Sequence, residues 1–335
     1  MGETLLSICD LKTYFYTLEG TVKAVDGVNL ELAKGETLGL GGESGCGKST
    51  LAYSIMRLVP YPGKIVSGTI LFEGEDLLKK SDEEMRRLRG NKISMIFQNP
   101  LSALNPVFSI KDQVGEVFKV HNRPEKDDLD NKVAELLEKV GIPDPSKMMR
   151  EYPHTFSGGM RQRVLIAMAI ACNPRLLIAD EPTTNLDVTV QAQIIELMKG
   201  LRKEMGSSII LITHDLGLIS ELCDKVAIMY AGKIVEYSDI RTIIRKPKHP
   251  YVISLLNSFP GLDKKIKRFS VIKGSVPSLI NPPKGCRFWP RCDFATEKCR
   301  EKEPPCIEVE KGHIVCCHHS DMINAESVGV CKTPY

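Results

Sequence analysis

A glycine-rich segment around residue 45 constrains the fold of this chain more than any other feature. Residues 42–49 read G-E-S-G-C-G-K-S, which fits the P-loop pattern G-x-x-x-x-G-K-[ST]. Its glycines let successive backbone N–H groups point at phosphate oxygens, its lysine reaches the β and γ phosphates, and its serine hydroxyl can ligate Mg²⁺. We therefore predict that a nucleoside triphosphate, with Mg²⁺ on the serine, binds to these residues: Gly42, Glu43, Ser44, Gly45, Cys46, Gly47, Lys48, Ser49 and Thr50.

The flanking residues supply the structural context that a P-loop requires. Residues 37–41, T-L-G-L-G, predict a short buried strand, and the chain from Lys48 onward predicts a helix. The positive N-terminal end of such a helix would face the phosphates. A chance glycine loop would not be expected between a strand and a helix in this order.

Length and composition bound the remaining possibilities. The 335 residues suffice for one large domain and a smaller one, and 42% hydrophobic with 26% charged residues is ordinary for a soluble protein. A net charge of +3 argues against a nucleic-acid partner. The longest apolar run, residues 164–172, is too short to span a membrane, and the N-terminus has no signal-peptide pattern, so we expect a cytosolic protein.

The order of predicted elements indicates an α/β fold. Strands alternate with helices over residues 176–230, which predicts a parallel sheet, and residues 4–36 and 66–78 show antiparallel strand patterns. Prolines accumulate after residue 245. We therefore predict a nucleotide-binding domain over residues 1–245 and a small Pro/Cys-rich C-terminal domain over residues 246–335.

Two adjacent acids end one of these predicted strands. Residues 176–182 read L-L-I-A-D-E-P, the arrangement of a Walker B motif. Asp180 would hold Mg²⁺ through water, and Glu181 would polarise the water that attacks the γ-phosphate. A solvated acidic strand end is the plain alternative, and the P-loop upstream makes it less attractive.

A third motif connects the chain to a known family. Residues 157–163 read S-G-G-M-R-Q-R, in which Ser157 is a natural N-cap and Gly158 and Gly159 leave backbone N–H groups open at a helix start. In this order with both Walker motifs, the chain resembles the ABC ATPases, whose signature motif this segment matches. The resemblance implies a P-loop parallel sheet core, an antiparallel β subdomain and a helical subdomain at about residues 99–172. It also implies that two ATP molecules are sandwiched in a head-to-tail dimer.

The same resemblance implies roles for residues outside these motifs. Gln98 corresponds to the Q-loop residue that senses Mg²⁺ and couples to the membrane partner, and His214 to the histidine that contacts the γ-phosphate. Phe15 aligns best with the aromatic residue that stacks on adenine. Tyr14 and Tyr16 are close rivals, because an aromatic residue in a strand is more often used for packing.

A narrower resemblance covers essentially the whole chain. Met160 stands where most of the family has Gln, as in the D-type ATPase subunits of dipeptide and oligopeptide importers, and residues 249–251 (H-P-Y) and 285–292 (G-C-R-F-W-P-R-C) are similar to their C-terminal segment. This implies an ATPase on the cytoplasmic face of the membrane that energises peptide import. Its implied partners are a paralogous F-type ATPase subunit, two transmembrane permease subunits and an external peptide-binding protein. An importer of nickel or another small solute in the same branch is the alternative.

Soluble ABC ATPases are a weaker alternative. Repair types carry a long coiled coil between the Walker motifs, but only about 130 residues without sustained heptads separate them here. Ribosome-recycling types carry two cassettes, and this chain has a single P-loop. A non-catalytic regulator would be expected to lose Glu181 or His214, and both are present.

Cysteine crowds into the end of the chain, where seven of the eleven lie within the last fifty residues. The spacing C-x5-C-x6-C-x6-C lacks the close pairs that zinc favours, so a [4Fe–4S] cluster is preferred to zinc or to unligated thiols. For the fourth ligand, Cys306, Cys316 and Cys317 compete. The importer resemblance implies this ligand set: Cys286, Cys292, Cys299 and Cys317.

Overall fold

The computed structural model describes residues 2–121, 126–258 and 272–323. Its strands are β1 (Thr4–Thr17), β2 (Gly20–Ala33), β3 (Thr37–Gly41), β4 (Gly63–Phe72), β5 (Glu75–Asp76), β6 (Ile93–Ile96), β7 (Leu176–Asp180), β8 (Ser208–Ile212), β9 (Lys225–Tyr230), β10 (Lys233–Asp239), β11 (Ile307–Glu310) and β12 (His313–Val315). Its α-helices are α1 (Lys48–Ile55), α2 (Asp82–Leu88), α3 (Pro100–Ala103), α4 (Ile110–His121), α5 (Lys126–Lys139), α6 (Pro145–Met148), α7 (Gly158–Ile170), α8 (Val188–Met205), α9 (Leu216–Leu222), α10 (Ile240–Arg245), α11 (Pro250–Asn257) and α12 (Glu297–Glu301). Short 3₁₀ turns cover Leu77–Lys79, Pro153–Thr155 and Trp289–Arg291.

The described residues form two compact units, which are described separately. The helical unit comprises Ala33–Gly35 and Lys79–Ile212, together with the residues before Thr4. The P-loop unit comprises Thr4–Leu32, Glu36–Leu78 and the described residues from Thr213 onward.

Three parallel strands form the centre of the helical unit. They lie in the order β8-β7-β6, and Ile178 of β7 pairs with Met95 on one side and Ile210 on the other. Every residue of these strands is buried, as is usual when a parallel sheet is covered on both faces. Helices α3 to α7 all lie between the end of β6 and the start of β7 along the chain. They occupy most of the segment predicted as a helical subdomain.

The P-loop unit contains two groups of strands. One is an antiparallel sheet in the order β2-β1-β4-β5, in which Phe15 pairs with Gly63. In the other group, β3 lies parallel to β9, and β9 lies antiparallel to β10. Together with the strands and helices of the helical unit, these strands confirm the predicted α/β fold class.

The C-terminal strands continue the second group of strands in the P-loop unit. β11 and β12 form a hairpin, and β12 pairs with β10 through Glu236 and Val315. A separate Pro/Cys-rich C-terminal domain is therefore not confirmed, since a short proline-rich segment has little core of its own and here covers an exposed sheet edge. The boundary near residue 245 stays a prediction, and residues 259–271 and 324–335 lie outside the described residues.

Candidate nucleotide site

The P-loop joins β3, which ends at Gly41, to α1, which begins at Lys48. Its glycines are required by close backbone contacts. A Cβ atom on Gly42 would lie 2.1 Å from the Met229 carbonyl oxygen, and a Cβ on Gly47 would lie 2.1 Å from the Ala24 carbonyl oxygen. Both glycines also have positive φ, at 141° and 106°. The strand, loop and helix predicted from the sequence are confirmed, and only glycine fits at these two positions.

Lys48 closes the loop from inside. Its Nζ donates hydrogen bonds to the carbonyl oxygens of Gly42 at 2.8 Å and Glu43 at 2.9 Å, and the side chain is buried. Cys46 is fully buried beside it, and burial raises the pKa of its thiol. The ammonium group is thus held inside the loop, where a triphosphate could replace the two carbonyl oxygens as its partner.

The helical unit carries the two acids of the Walker B motif at the end of β7. Asp180 is the last strand residue and is fully buried. Glu181 has a positive φ of 45°, and its amide donates to the Ile212 carbonyl oxygen at 2.9 Å. A left-handed backbone is uncommon for Glu, and such strained positions cluster at functional sites.

The structure brings Gln98 and Glu181 together. Gln98 Nε2 donates to Glu181 Oε2 at 2.8 Å, and Thr184 Oγ1 donates to the same oxygen at 2.9 Å. Two donors therefore fix the carboxylate. The motifs predicted Gln98 and Glu181 separately, whereas Thr184 was missed, although its place three residues after Glu181 is a local signal for a side-chain contact.

The signature segment forms an exposed helix start in the helical unit. Ser157 is the N-cap of α7, and its Oγ accepts a hydrogen bond from the Met160 amide at 3.3 Å. Ser157 and Gly158 are exposed. A Cβ on Gly159 would lie 2.7 Å from Val190 Cγ1, so the helix start packs closely on α8. The predicted N-cap is confirmed, and its role as a second phosphate site stays a prediction.

The candidates for adenine stacking differ in their surroundings. Phe15 is half-buried, and a Cβ on Gly63 would come within 2.7 Å of its ring, so one edge of the ring packs on β4. Tyr14 donates its hydroxyl hydrogen to Asp26 Oδ1 at 2.5 Å, and burial together with this contact raises the pKa of Tyr14. Tyr16 is exposed. His214 is also exposed, between β8 and α9, and its role stays a prediction.

The predicted iron–sulfur ligands are free thiols: Cys286, Cys292, Cys299 and Cys317. Their two rivals, Cys306 and Cys316, form a disulfide across the β11–β12 hairpin. Within residues 2–121, 126–258 and 272–323, no group of three or more His, Cys, Asp or Glu side chains is arranged to hold a metal ion. The iron–sulfur prediction is therefore not supported by the described residues.

The four thiols nevertheless lie close enough to influence one another. Burial raises the pKa of Cys292 to about 11 and that of Cys317 to about 12, and the neighbouring cysteines add to both shifts. His319, which sequence reasoning missed, lies between two of them. Its Nε2 is 3.5 Å from Cys299 Sγ, and its amide donates to Cys317 Sγ at 3.4 Å. These side chains are of the type that binds soft metal ions, although they form no recognised metal-holding group within the described residues.

Two family models match the chain. The model of the ABC transporter family matches residues 25–184, and that of the oligopeptide/dipeptide transporter C-terminal region matches residues 235–299. These ranges contain the P-loop, both Walker B acids, the H-P-Y segment and three of the four thiols. Within the described residues, no helix combines the length and apolar character needed to span a membrane.

Similar proteins extend over nearly the full length. The chain is 48% identical to the oligopeptide transport ATP-binding protein AppD of Bacillus subtilis, over 94% of this chain and 96% of that protein. It is 48% identical to the dipeptide transport ATP-binding protein DppD of Bacillus subtilis, over 95% of this chain and 96% of that protein. It is 46% identical to the oligopeptide transport ATP-binding protein OppD of Escherichia coli, over 94% of this chain and 93% of that protein.

A solved structure resembles the fold. It is a dimeric, post-hydrolysis state of the ATP-binding cassette MJ0796 bound to ADP and Pi, with a TM-score of 0.64 and 26% identity. The similarity covers 71% of this chain and 99% of that one.

Proposed function

Because this chain belongs to the ABC transporter family of ATP-binding proteins, we propose that it hydrolyses ATP to energise the import of oligopeptides or dipeptides. The observation that carries ATP binding is the P-loop, whose backbone accepts only glycine at Gly42 and Gly47 and whose lysine already points into the loop. The peptide cargo rests on the relatives, which are named as oligopeptide or dipeptide transport proteins and match over nearly the whole chain.

The catalytic roles follow from the chemistry of each side chain. Lys48 exchanges its two carbonyl partners for phosphate oxygens, and P-loop amides bind the remaining phosphate oxygens. Glu181 orients and polarises the attacking water, since Gln98 and Thr184 already fix its carboxylate. His214 contacts the γ-phosphate.

Magnesium has suitable oxygen donors in this chain. Ser49, Gln98 and Asp180 supply a hydroxyl, an amide and a buried carboxylate, which are the donor types that Mg²⁺ prefers. When bound, the ion neutralises charge on the β and γ phosphates.

The partners are proposed from the same resemblance. A paralogous F-type subunit would supply the opposing signature segment, and residues 157–159 of this chain would complete the partner's site. Two transmembrane permease subunits and an external peptide-binding protein would complete the transporter, with this chain peripheral on the cytoplasmic face. The dimer of the similar cassette MJ0796 supports pairing of two cassettes.

We also propose that the four free thiols hold a [4Fe–4S] cluster when iron and sulfide are supplied. Two facts support it: the other three thiols lie near enough to Cys317 to raise its pKa, and the disulfide removes Cys306 and Cys316 from the competition. Iron and sulfide analysis of anaerobically purified protein tests this, with about four of each expected per chain.

The test of the main proposal is ATP-dependent uptake by proteoliposomes that contain the purified transporter, supplied with labelled peptides or with nickel. Glu181→Gln should reduce peptide uptake and ATP hydrolysis about 100-fold or more, because it removes the group that polarises water. The matched control is Glu204→Gln, which changes an exposed carboxylate on α8 that pairs with Lys139. Uptake of nickel but not peptides, or full hydrolysis by Glu181→Gln, would overturn the proposal.

A further inference from the structure

We propose that Arg291, beside Cys292, is a positioning residue for the P-loop. Arg291 holds the Glu43 carboxylate away from the phosphate site. It thereby couples residues 286–292, which include two of the free thiols, to the affinity of the chain for ATP. The inference rests on the proposed ATP site, and it adds a contact that the nucleotide motifs do not contain.

The contact is a two-pronged ion pair. Arg291 Nη1 donates to Glu43 Oε2 at 2.7 Å, and Nη2 donates to Glu43 Oε1 at 3.0 Å. The Arg291 side chain is only 4% exposed and that of Glu43 is 27% exposed. A planar guanidinium in this geometry fixes both the position and the rotation of a carboxylate, and its shielding from water strengthens the interaction.

Arg291 is itself held on several sides. Its Nε donates to the Lys273 carbonyl oxygen at 2.8 Å, and Nη1 is 3.3 Å from the Tyr230 hydroxyl. Its guanidinium lies 5.8 Å from the ring centre of Tyr230 and 6.0 Å from that of Phe288. Because these contacts order the side chain before any nucleotide binds, little rotamer entropy remains to be lost.

The backbone of Glu43 is held by a second C-terminal residue. Its amide donates to the hydroxyl of Tyr251, from the H-P-Y segment, at 2.9 Å. The rings of Tyr251 and Phe288 have centres 5.4 Å apart, and Phe288 follows Cys286 by two residues. Two residues of the C-terminal region, Tyr251 and Arg291, therefore both contact Glu43 of the P-loop.

Glu43 connects these C-terminal contacts to Lys48, the lysine expected to bind phosphate. Its carbonyl oxygen accepts a hydrogen bond from Lys48 Nζ, so its backbone touches the P-loop lysine while its side chain touches Arg291. Without Arg291, a carboxylate beside the P-loop would lack its partner. It would then repel a triphosphate or compete with it for Lys48, and both effects lower ATP affinity.

The competing explanation is that Arg291 only anchors the C-terminal region. In that case, removing it would lower the free energy of unfolding and leave the affinity of the folded protein for ATP unchanged. The two explanations also differ for the Glu43→Gln protein. If Arg291 acts by neutralising Glu43, Arg291→Ala should not change the ATP affinity of that protein further, because the charge is already absent.

The experiment is a double-mutant cycle on ATP affinity. A fluorescent ATP analogue with Mg²⁺ is titrated into the purified full chain, and the variants are Arg291→Ala, Glu43→Gln and their combination. Arg291→Ala should weaken binding about tenfold. Glu43→Gln should bind at least as tightly as the wild type because a negative charge is removed, and the double variant should match Glu43→Gln.

Two further variants sharpen the result. Lys273→Ala is the matched control, because it breaks an exposed ion pair with Asp293 in the same segment and keeps the backbone oxygen that Arg291 contacts. Its affinity should equal that of the wild type. Arg291→Lys keeps the positive charge but cannot donate two parallel hydrogen bonds to the Glu43 carboxylate, so this variant should bind ATP with an intermediate affinity. It also replaces Arg291→Ala in the cycle if the alanine variant does not fold.

A reciprocal readout separates positioning from anchoring. If the coupling exists, ATP should slow hydrogen exchange at residues 286–292 in the wild type and have little effect there in Arg291→Ala. Wild-type affinity in both Arg291 variants, or equal weakening by Arg291→Ala with and without Glu43→Gln, would refute the inference alone. A wild-type chain that binds no ATP would refute the proposed function itself.

Discussion

His249 is expected to make the P-loop unit sensitive to acid. The residue is almost completely buried as the N-cap of α11, and its Nδ1 accepts a hydrogen bond from the Tyr251 amide at 3.1 Å. Its own amide donates to Glu236 Oε2 at 2.8 Å. Because Nδ1 is an acceptor, the ring must be neutral with its proton on Nε2. Burial lowers the pKa of His249 to about 3.

The size of the effect follows from the two pKa values. An unfolded histidine has a pKa of about 6.5, so between that pH and about 3 the unfolded state binds a proton that the folded state does not. The stabilisation is therefore fully present above pH 6.5 and is lost as the pH falls, at about 1.4 kcal/mol per unit. Between pH 7 and pH 5 the unfolding free energy should fall by about 2 kcal/mol from this residue alone.

The assay is urea unfolding at both pH values, followed by the fluorescence of Trp289. This is the chain's one tryptophan, and it lies in the same unit as His249, so it reports the relevant transition. His249→Asn is the comparison, because Asn is a good N-cap and does not titrate in this range. Other groups titrate in both proteins, so the difference between them isolates His249. Parallel pH dependence of the two proteins would refute the reasoning.

Four further outcomes are expected. Glu181→Gln should keep ATP binding and accumulate a closed dimer with the partner subunit, which size-exclusion chromatography with ATP can detect. Dilute monomeric chain should hydrolyse ATP far more slowly than the assembled transporter, since each site needs a signature segment from an opposing subunit; equal rates would contradict this. Alkylation of Cys46 should abolish ATP binding, and bound ATP should prevent the alkylation. The reaction should be slow at neutral pH because burial raises the pKa of the Cys46 thiol. Unchanged ATP affinity after confirmed modification of Cys46 would contradict this prediction. Cys317→Ser should lose bound iron and Cys306→Ser should keep it, and the reverse result in iron analysis would contradict the ligand assignment.

The bounds of helices and strands were predicted best where neighbouring residues in the sequence mark them. The strand over residues 37–41 has the predicted bounds, and the helix after the P-loop begins at Lys48, as predicted. In both cases, glycines mark the boundary within a few residues. The antiparallel sheet was also anticipated, because alternating residues and tight turns are encoded in neighbouring positions.

Local signals failed for β10 and its buried acid. The strand contains Glu236, which is completely buried, although alternation with polar residues would normally predict exposure. Its carboxylate accepts hydrogen bonds from the amides of Lys248 and His249 and lies 2.8 Å from His313 Nε2. Since His313 is 77 residues away, no local pattern could show that this buried carboxyl group has a polar partner there.

The same distinction explains which parts of the candidate site could be found in advance. A phosphate cradle is built from successive backbone amides, so its residues must be neighbours in sequence and leave a motif. The side chains that support the cradle have no such constraint, because any element of the unit can deliver them. Arg291 contacts Glu43 across 248 residues of sequence. The residues around each of them contain no pattern that predicts this contact. The contacts with most scope to tune ATP affinity in this chain are therefore those that its motifs leave out.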